Sequence, residues 1–272
     1  MDDLTDIFEE MIYLAQGEDV GSGDITSNLI IPADATGSFA FAAREEIIFC
    51  GAGVIKAAFP QAEIKFSDGN KIAANSVIAN VTGNVREILM KERIVLNMIQ
   101  HLSGIATETA KYVALVSGTK AKILDTRKTI PFIRQMQKYA VICGGGQNHR
   151  MGLYDAVLIK DNHIKAAGGI TAALAKVAPL KGKIQIEIEC DNIEQVKEAL
   201  SGKPDVILAD NMTNQQLKEV VKLVNGACKI EASGNVNLQT VKEIAATGVD
   251  FISVGKLTHS VRAVDIGLDC LG

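Results

Sequence analysis

The second half of the chain repeats one pattern, in which a short apolar strand ends in a charged or small polar residue and a helical segment follows. The strands read KILD, AVLIK, IQIEIE, DVILAD, KIEAS and FISVG, and their last residues are Asp125, Lys160, Glu189, Asp210, Ser233 and Gly255. These ends lie roughly 20 to 35 residues apart, a spacing that favours successive strand–helix units over hairpins. Because the runs of Ile, Val and Leu are nearly continuous, the pattern predicts parallel strands buried on both faces.

The length of the chain limits how these strands close. A complete eightfold α/β barrel needs about 250 residues, whereas roughly 150 of the 272 residues carry the pattern. We therefore predict an incomplete (β/α) barrel of six or seven parallel strands. A flavodoxin-like sheet is the alternative.

The first part of the chain follows other patterns. Helical spacing of apolar residues predicts an opening helix, which the glycine-rich stretch EDVGSGDITS should end; the apolar residues are Leu4, Ile7, Phe8, Met11 and Ile12. Residues 36–85 contain short β-like segments, with a helix expected near residues 52–58. This part is predicted to be a small α+β domain.

A helical stretch over residues 86–116, expected to be interrupted near Ser103 and Gly104, should link the two halves. The predicted domains are residues 1–115 and residues 116–272. The extreme C-terminus is expected to pack back on the first domain.

Composition excludes several classes of protein. The chain is 47% hydrophobic with a net charge of −4, so it can bury a large core, and its overall field does not favour nucleic acid or an anionic membrane. The N-terminal MDDLTDIFEE is not a signal peptide, and no segment approaches the ~20 apolar residues that span a bilayer. Five cysteines without CxxC spacing argue against a disulfide framework or structural zinc. We expect a cytoplasmic protein with core thiols and a small ligand.

Carboxylates mark several strand ends, where an α/β barrel has its active site. Glu187 and Glu189 lie two residues apart on one strand, so their side chains share a face. With Asp210 on the next strand they suit ribose hydroxyls or Mg²⁺, which binds through few carboxylates and substrate phosphates. The alternative is a structural ion pair with Lys160 or Arg150.

Positive charge is concentrated in the stretch DTRKTIPFIRQMQKYAVICGGGQNHR. Six basic residues lie in this stretch, and Lys160 at the end of the next strand joins them to form the group: Arg127, Lys128, Arg134, Lys138, His149, Arg150 and Lys160. Crowded cations need anions, and guanidinium groups bind carboxylates and phosphates in a bidentate manner. A second anion site is expected at EASGNV, where Ser233, Gly234 and Asn235 are predicted to precede a helix and to offer free backbone N–H groups to a phosphate.

Seven segments together resemble one known family. They read GDITS, ERIVLNMIQHLSGIAT, LDTRKTIPFIRQMQKYAVICGGGQNHRMGLYDAVLIKDNH, IEIE, ADNM, IEASGNV and GVDFISVGKLTHS. In this order they are similar to the motifs of quinolinate phosphoribosyltransferase, also called carboxylating nicotinate-nucleotide pyrophosphorylase. The resemblance implies an N-terminal α/β sandwich domain, an open α/β barrel and a homodimer whose sites take residues from both subunits. It implies that quinolinate and phosphoribosyl pyrophosphate give nicotinate mononucleotide, pyrophosphate and CO₂ in NAD biosynthesis, with Mg²⁺.

The resemblance also implies roles for individual residues. The dicarboxylate contacts would be Arg127, His149, Arg150 and Lys160, with Arg93 from the neighbouring subunit. The phosphoribosyl contacts would be Lys128, Glu189, Asp210, Ser233, Gly234, Gly255 and His259. Of these, Lys128, Glu189 and Asp210 are the predicted catalytic residues, and Glu189 and Asp210 are the predicted Mg²⁺ ligands. Apolar residues around Arg93, Leu89 to Ile99, suggest that its helix lies in the dimer interface.

Two residues depart from the family pattern. Phe132 stands where glycine is usual and Ala209 where leucine is common, and both are interpreted as packing changes. Two other functions stay open at this point. One is a related branch associated with molybdenum transport that uses a different substrate. The other is a non-catalytic protein that binds a phosphorylated metabolite, which would not need both Glu189 and Asp210.

Overall fold

The computed structural model describes residues 4–271, which divide into two compact units. Unit 1 comprises residues 4–108, 139–145 and 260–271, and unit 2 comprises residues 109–138 and 146–259. The predicted boundary at residue 115 lies in the same helix as the observed division at Glu108. The assignment of residues 139–145 to unit 1 was not predicted. Within unit 1, the Tyr139 hydroxyl donates a hydrogen bond to Asp68 Oδ2 at 2.8 Å.

The elements are numbered in chain order. The helices are α1 (Thr5–Asp19), α2 (Ile25–Ile30), α3 (Ala52–Ala58), α4 (Val85–Val116), α5 (Arg134–Cys143), α6 (Asp161–Ala167), α7 (Ile170–Val177), α8 (Ile193–Ser201), α9 (Asn214–Val224), α10 (Val241–Ala245) and α11 (Lys256–His259), with a 3₁₀ turn at Ala178–Leu180. The strands are β1 (Thr36–Ala43), β2 (Ile47–Ile48), β3 (Glu63–Ile64), β4 (Lys71–Ile72), β5 (Val77–Asn84), β6 (Lys122–Leu124), β7 (Val157–Ile159), β8 (Ile186–Cys190), β9 (Val206–Asp210), β10 (Lys229–Ser233), β11 (Phe251–Ser253) and β12 (Ile266–Cys270).

Unit 1 is built on an antiparallel sheet with the order β12-β1-β5-β3. The last five residues of β1 are buried, and its neighbour β12 comes from the end of the chain, with Phe39 opposite Cys270. The predicted opening helix is present as α1, where Phe8 and Ile12 are buried. The helix predicted near residues 52–58 is α3.

Two local predictions for unit 1 were wrong. The stretch GDITS is the start of α2 rather than a loop, because the Asp24 side chain accepts a hydrogen bond from Ser27 N at 3.0 Å and caps the helix. Helix α4 is not interrupted at Gly104. A Cβ at Gly104 would collide with the carbonyl oxygen of Arg262, so this glycine permits close packing of the C-terminal segment. No helix within residues 4–271 is long and apolar enough to cross a bilayer.

Unit 2 contains six parallel strands in the order β6-β11-β10-β9-β8-β7. Each strand from β7 to β10 pairs with its successor, and β11 then pairs with the first strand, β6. A flavodoxin-like sheet would instead reverse its strand order at a switch point. Leu124 of β6 also forms an isolated parallel bridge with Gln147, which adds a short seventh segment. The predicted incomplete barrel of six or seven strands is therefore confirmed.

Candidate active site

The carboxyl ends of the parallel strands place most of the predicted site residues in unit 2. Lys160 follows β7, Glu189 lies near the end of β8, Asp210 ends β9, Ser233 ends β10 and Gly255 follows β11. These are the ends at which barrel active sites form. The sequence prediction of a shared polar edge thus agrees with the strand topology.

A buried ion pair lies beneath this edge. Lys138 on α5 and Asp125, directly after β6, have side chains 1% and 0% exposed and are in direct contact. Burial raises the pKa of Asp125 to about 6, although the nearby Lys138 acts to lower it. Lys138 had been expected among the anion-binding cations. In the structure its charge is already neutralised by Asp125.

This ion pair fixes the backbone of His149 from both sides. Asp125 Oδ1 accepts a hydrogen bond from His149 N at 2.8 Å, and Lys138 Nζ donates to the His149 carbonyl at 2.9 Å. With its amide oriented to match its neighbours, Asn148 donates to Asp125 Oδ2 at 2.6 Å. The pair therefore positions the NHR segment, which carries two of the predicted dicarboxylate contacts.

The His149 ring is held by protein groups on both nitrogens. Nδ1 accepts a hydrogen bond from Arg150 N at 2.7 Å, so the proton of the neutral ring lies on Nε2. That nitrogen is 3.0 Å from Glu187 Oε2 and 3.6 Å from Glu231 Oε2. These contacts fix the orientation of the His149 ring, and its predicted contact with the substrate stays a prediction.

Glu187 and Glu231 are both 2% exposed and form an acid pair next to His149. Burial, followed by the charge of Glu187, raises the pKa of Glu231 to about 8. Burial lowers the pKa of His149, but the hydrogen bond to Glu187 and the charge of Glu231 outweigh this effect and raise it. The raised pKa of Glu231 favours its neutral form. Oε1 of each glutamate has no hydrogen-bond partner among the described residues.

Two arginines provide the unpaired positive charge of the site. Nε of Arg127 and Nε of Arg150 are buried without a hydrogen-bond partner among residues 4–271. Arg150 Nη1 donates to the Ala156 carbonyl at 2.9 Å. Burial, and then the positive charge of Arg127, lower the pKa of Arg150. Two mutually repelling guanidinium groups with free donors are well suited to bind a ligand with more than one anionic group.

Arg134 does not contribute to this free charge. Its Nε donates to Thr129 Oγ1 at 2.9 Å and its Nη1 to the Met151 carbonyl at 3.1 Å. The basic cluster read from the sequence therefore divides in two. Arg134 and Lys138 stabilise the fold, whereas Arg127 and Arg150 keep free donors.

Three carboxylates converge at the ends of β8 and β9. Oxygen atoms of Glu189, Asp191 and Asp210 lie within 4.8 Å of one another. Oxygen ligands at this spacing suit a hard cation such as Mg²⁺, which completes its shell with water and substrate phosphates. Asp191 had not been predicted. Lys160 Nζ is 3.1 Å from Glu189 Oε2, so the ion pair considered as an alternative is present and adjoins this cluster.

Gly255 brings Lys128 and His259 together. A Cβ at Gly255 would lie 3.0 Å from Lys128 Cδ and 3.3 Å from His259 Cδ2, so both side chains approach this glycine closely. Thr258 Oγ1 donates to the Lys128 carbonyl at 2.8 Å and fixes this segment. Three residues that the sequence placed on the phosphoribosyl side are thus neighbours.

The turn after β10 depends on Gly234, whose φ is +94°. A Cβ at this position would collide with the Asn211 side chain, and Asn235 Nδ2 donates to Asn211 Oδ1 at 3.2 Å. The helix expected to follow this turn is α10, which begins at Val241. Phosphate binding by the backbone N–H groups of Ser233, Gly234 and Asn235 stays a prediction.

Arg93 lies on the part of α4 that belongs to unit 1. Its side chain is exposed and makes no hydrogen bond or ion pair among the described residues. The sequence predicted an exposed apolar surface around Arg93, and this prediction was wrong. Most of the apolar side chains there are buried within the chain: Ile94, Val95, Leu96 and Ile99 are at most 5% exposed.

The two departures from the family pattern have different structural settings. Ala209 is fully buried in β9, in agreement with a packing change. Phe132 is 95% exposed and has a φ of +69°, a left-handed conformation that favours glycine. The interpretation of Phe132 as a packing change was therefore wrong.

Neither Glu231 nor Asp191 was predicted from the sequence to be a site residue. Glu231 in KIEAS interrupts an apolar strand in the same way as Glu187 does, and this was the available signal. Asp191 follows the strand by one residue, where a solvated loop acid is the ordinary expectation. Its proximity to Asp210 depends on the pairing of β8 with β9.

Comparisons with known proteins identify the family. Residues 24–103 match the family model described as quinolinate phosphoribosyl transferase, N-terminal domain, and residues 105–269 match the C-terminal domain of the same name. A Bacillus subtilis (strain 168) relative, named probable nicotinate-nucleotide pyrophosphorylase (carboxylating), is 42% identical, with 93% of this chain and 89% of the relative covered. A Mycobacterium leprae relative, named nicotinate-nucleotide pyrophosphorylase (carboxylating), is 38% identical, with 97% of each covered.

Solved structures give the same result. The nicotinate-nucleotide pyrophosphorylase of Francisella tularensis superimposes with a TM-score of 0.94 at 42% identity, covering 98% of this chain and 96% of that one. The corresponding structure from Ehrlichia chaffeensis gives a TM-score of 0.93 at 44% identity, with 97% and 98% covered. The family predicted from the motifs is confirmed: the chain belongs to the quinolinate phosphoribosyl transferase family.

Proposed function

We propose that this protein transfers the phosphoribosyl group of phosphoribosyl pyrophosphate to quinolinate and removes one carboxylate, giving nicotinate mononucleotide, pyrophosphate and CO₂. The observation that carries the proposal is the pair Arg127 and Arg150, whose buried Nε donors have no partner among residues 4–271. A pyridine with two adjacent carboxylates supplies two anionic groups to these cations.

The dicarboxylate half of the site consists of the two arginines with Lys160. Guanidinium groups bind carboxylates through paired N–H donors, which fixes the plane of the pyridine ring. The ion pair of Asp125 and Lys138 holds the backbone of His149, and Arg150 is the next residue. Holding the ring nitrogen against the ribose carbon lowers the entropic part of the barrier.

The phosphoribosyl half consists of Glu189 and Asp210 together with Lys128, Ser233 and Gly234. As pyrophosphate leaves, positive charge develops at the anomeric carbon, and fixed carboxylates nearby stabilise it. Glu189 and Asp210, with Asp191, would also hold Mg²⁺, which when bound neutralises charge on the departing pyrophosphate. Lys128 is placed to bind a phosphate oxygen of the donor.

Decarboxylation needs no protein nucleophile. Attack by the ring nitrogen forms the bond to the ribose carbon as the bond to pyrophosphate breaks, and the ring becomes a cation. This cation accepts the electron pair released when the adjacent carboxylate leaves as CO₂, and a proton then replaces the carboxylate. The task of the protein in this step is to orient the diacid.

Separate binding measurements on the two halves test this assignment. Arg150→Ala should weaken quinolinate binding at least tenfold, since losing one partner of a desolvated charge pair costs about 2 to 5 kcal/mol. Glu189→Gln should leave quinolinate binding intact and impair use of the phosphoribosyl donor. Arg262→Ala, an exposed arginine of unit 1, is the control and should change neither property. If Glu189→Gln abolished quinolinate binding in calorimetry while Arg150→Ala did not, the two halves would have to be exchanged.

We also propose that the enzyme is a homodimer with shared sites. Large apolar side chains exposed in short segments of both units support this, because exposed apolar surface marks interaction sites. They are Tyr13, Leu14, Ile25, Leu29 and Ile30 in unit 1 and Ile130, Phe132, Leu153 and Tyr154 in unit 2, all between 46% and 95% exposed. Arg93, exposed and without a partner among residues 4–271, is proposed to reach the dicarboxylate of the neighbouring subunit.

Subunit mixing tests the shared site. Inactive Arg93→Ala subunits exchanged with inactive Glu189→Gln subunits should recover activity, because one site of each mixed dimer keeps both residues. Verified heterodimers that stay inactive, although both parents are folded, would exclude a role for Arg93 across the interface.

We also propose a cytoplasmic location for the protein. It was predicted from the N-terminal residues, whereas the name of one Nicotiana tabacum relative includes the word mitochondrial. Fractionation of the native host with detection of the protein decides between these locations.

A further inference from the structure

Two thiols meet in unit 1, outside the proposed active site. Cys50 lies between β2 and α3 and is fully buried, while Cys143 is the last residue of α5 and is half-buried. The two Sγ atoms and a carboxylate oxygen of Asp68 lie within 4.8 Å of one another. Although 93 residues separate the cysteines in the sequence, the fold brings them into one cluster.

The surroundings hold both cysteines in place. Ser103 Oγ accepts a hydrogen bond from Cys50 N at 3.0 Å and donates to the Cys50 carbonyl at 3.1 Å. On α5, the Tyr139 hydroxyl donates to Asp68 Oδ2 at 2.8 Å, and Tyr139 lies one helical turn before Cys143. Hydrogen bonds thus fix the backbone of Cys50 itself and, near Cys143, the Tyr139 side chain one helical turn earlier.

The same contacts argue against a metal at this cluster. Asp68 Oδ1 accepts hydrogen bonds from Gly51 N at 2.8 Å and Ala52 N at 2.9 Å, and Oδ2 is used by Tyr139, so the carboxylate is already satisfied. Burial, and then the hydrogen bond with Cys143, raise the pKa of the Cys50 thiol. Metal binding requires thiolates, whereas a neutral thiol next to a second thiol is the reduced form of a disulfide.

We propose that Cys50 and Cys143 are a modification site that forms a reversible disulfide bond by exchange with a low-molecular-weight disulfide. The S–S bond of about 2.05 Å requires only a short approach of two sulfur atoms that already share a cluster. Cys143 reacts first because it is the more accessible thiol. The bond ties the end of α5 to the segment that follows β2.

The exchange balances in two steps. Cys143 gives up its proton and attacks one sulfur of the small disulfide; a mixed disulfide forms, and the other sulfur leaves as a thiol after taking up a proton. Cys50 then gives up its proton and attacks Cys143 Sγ, which forms the protein disulfide and releases the second small thiol. Two protein thiols are oxidised while one small disulfide is reduced to two thiols.

The test uses the folded full-length protein. Wild type is incubated with oxidised glutathione while folded, then unfolded in denaturant so that every remaining free thiol is alkylated, and the sites are mapped by mass spectrometry after proteolysis. We expect a Cys50–Cys143 crosslinked peptide, loss of alkylation at these two of the five cysteines, and reversal by dithiothreitol. Cys270→Ser, which removes an exposed cysteine of the same unit, is the matched control and should form the same crosslink.

Variants separate the two steps. In Cys50→Ser, glutathione should remain attached to Cys143, because no second thiol displaces it. Should a variant fail to fold, the wild-type map alone decides the question. The proposal is overturned if Cys50 and Cys143 are both still alkylated after oxidation of folded wild type, or if glutathione stays on Cys143 in wild type as it does in Cys50→Ser.

Discussion

Replacing Lys138 by methionine should destabilise the protein by about 3 to 4.5 kcal/mol, because the change leaves the buried Asp125 carboxyl without its cation. Both side chains are almost completely buried, so water cannot replace the lost partner. Methionine occupies a similar volume, which keeps the cost of a cavity small.

The expected magnitude has two parts. With a pKa of about 6, Asp125 is ionised at pH 7; without Lys138 the carboxyl becomes neutral there, at a cost of about 1.4 kcal/mol for the one pH unit. Loss of the ammonium hydrogen bond to the His149 carbonyl adds about 1.5 to 3 kcal/mol. The first part disappears below pH 6, where the wild-type carboxyl is itself protonated. The destabilisation should therefore fall by about 1.4 kcal/mol between pH 7 and pH 5.5.

Urea unfolding of wild type and Lys138→Met at pH 7 and pH 5.5, followed by circular dichroism, measures this directly. Lys122→Met, a change at an exposed lysine of β6, is the control and should stay within about 0.5 kcal/mol. A cost below 1 kcal/mol at pH 7, or an equal cost at the two pH values, would refute the assignment of Lys138 and Asp125 as a coupled buried pair.

Two further variants test individual structural claims. Glu231→Gln should copy the neutral acid. Since the raised pKa means that folded Glu231 keeps a proton which the unfolded chain loses, this group should cost wild type up to about 1.4 kcal/mol of stability per pH unit between pH 5 and pH 8. The variant should lack this contribution, so its stability should fall less steeply than that of wild type. Thermal unfolding across this range checks it, with Glu219→Gln at an exposed site as the control. Phe132→Gly should stabilise the fold by about 0.5 kcal/mol, because relief of a left-handed conformation (about 1 to 2 kcal/mol) exceeds the entropic cost of glycine; a lower urea midpoint would contradict this.

Strand positions were predictable because a parallel strand buried on both faces needs a continuous apolar run, and the polar residue that ends the run marks the edge of the sheet. Glu189 and Asp210 were found in this way. Charge alone could not show which cations stay free. Lys138 and Arg150 look alike in the sequence, yet Lys138 is neutralised by Asp125, which lies 13 residues away. Such pairings depend on three-dimensional contacts between segments.

Glycines were misread for a related reason. Gly104 suggested a helix break, but it lies inside α4. The backbone of Arg262 packs in the space that a side chain at this position would occupy. Tertiary packing overrode the local preference of this residue. The exposed position of Phe132 was hidden as well, since no local signal distinguishes a buried aromatic residue from an exposed one in a short loop.

The most direct test of the proposed function is the ratio of kcat/KM for quinolinate to kcat/KM for nicotinate, measured with phosphoribosyl pyrophosphate and Mg²⁺ and with quinolinate labelled in its 2-carboxylate. Arg127 and Arg150 offer more donors than one carboxylate can satisfy, and a buried cation left unpaired costs about 2 to 5 kcal/mol. We predict a ratio of at least 30, with labelled CO₂ released in equal amount to nicotinate mononucleotide. Equal efficiency with the two acids, or mononucleotide formation without labelled CO₂, would contradict the account.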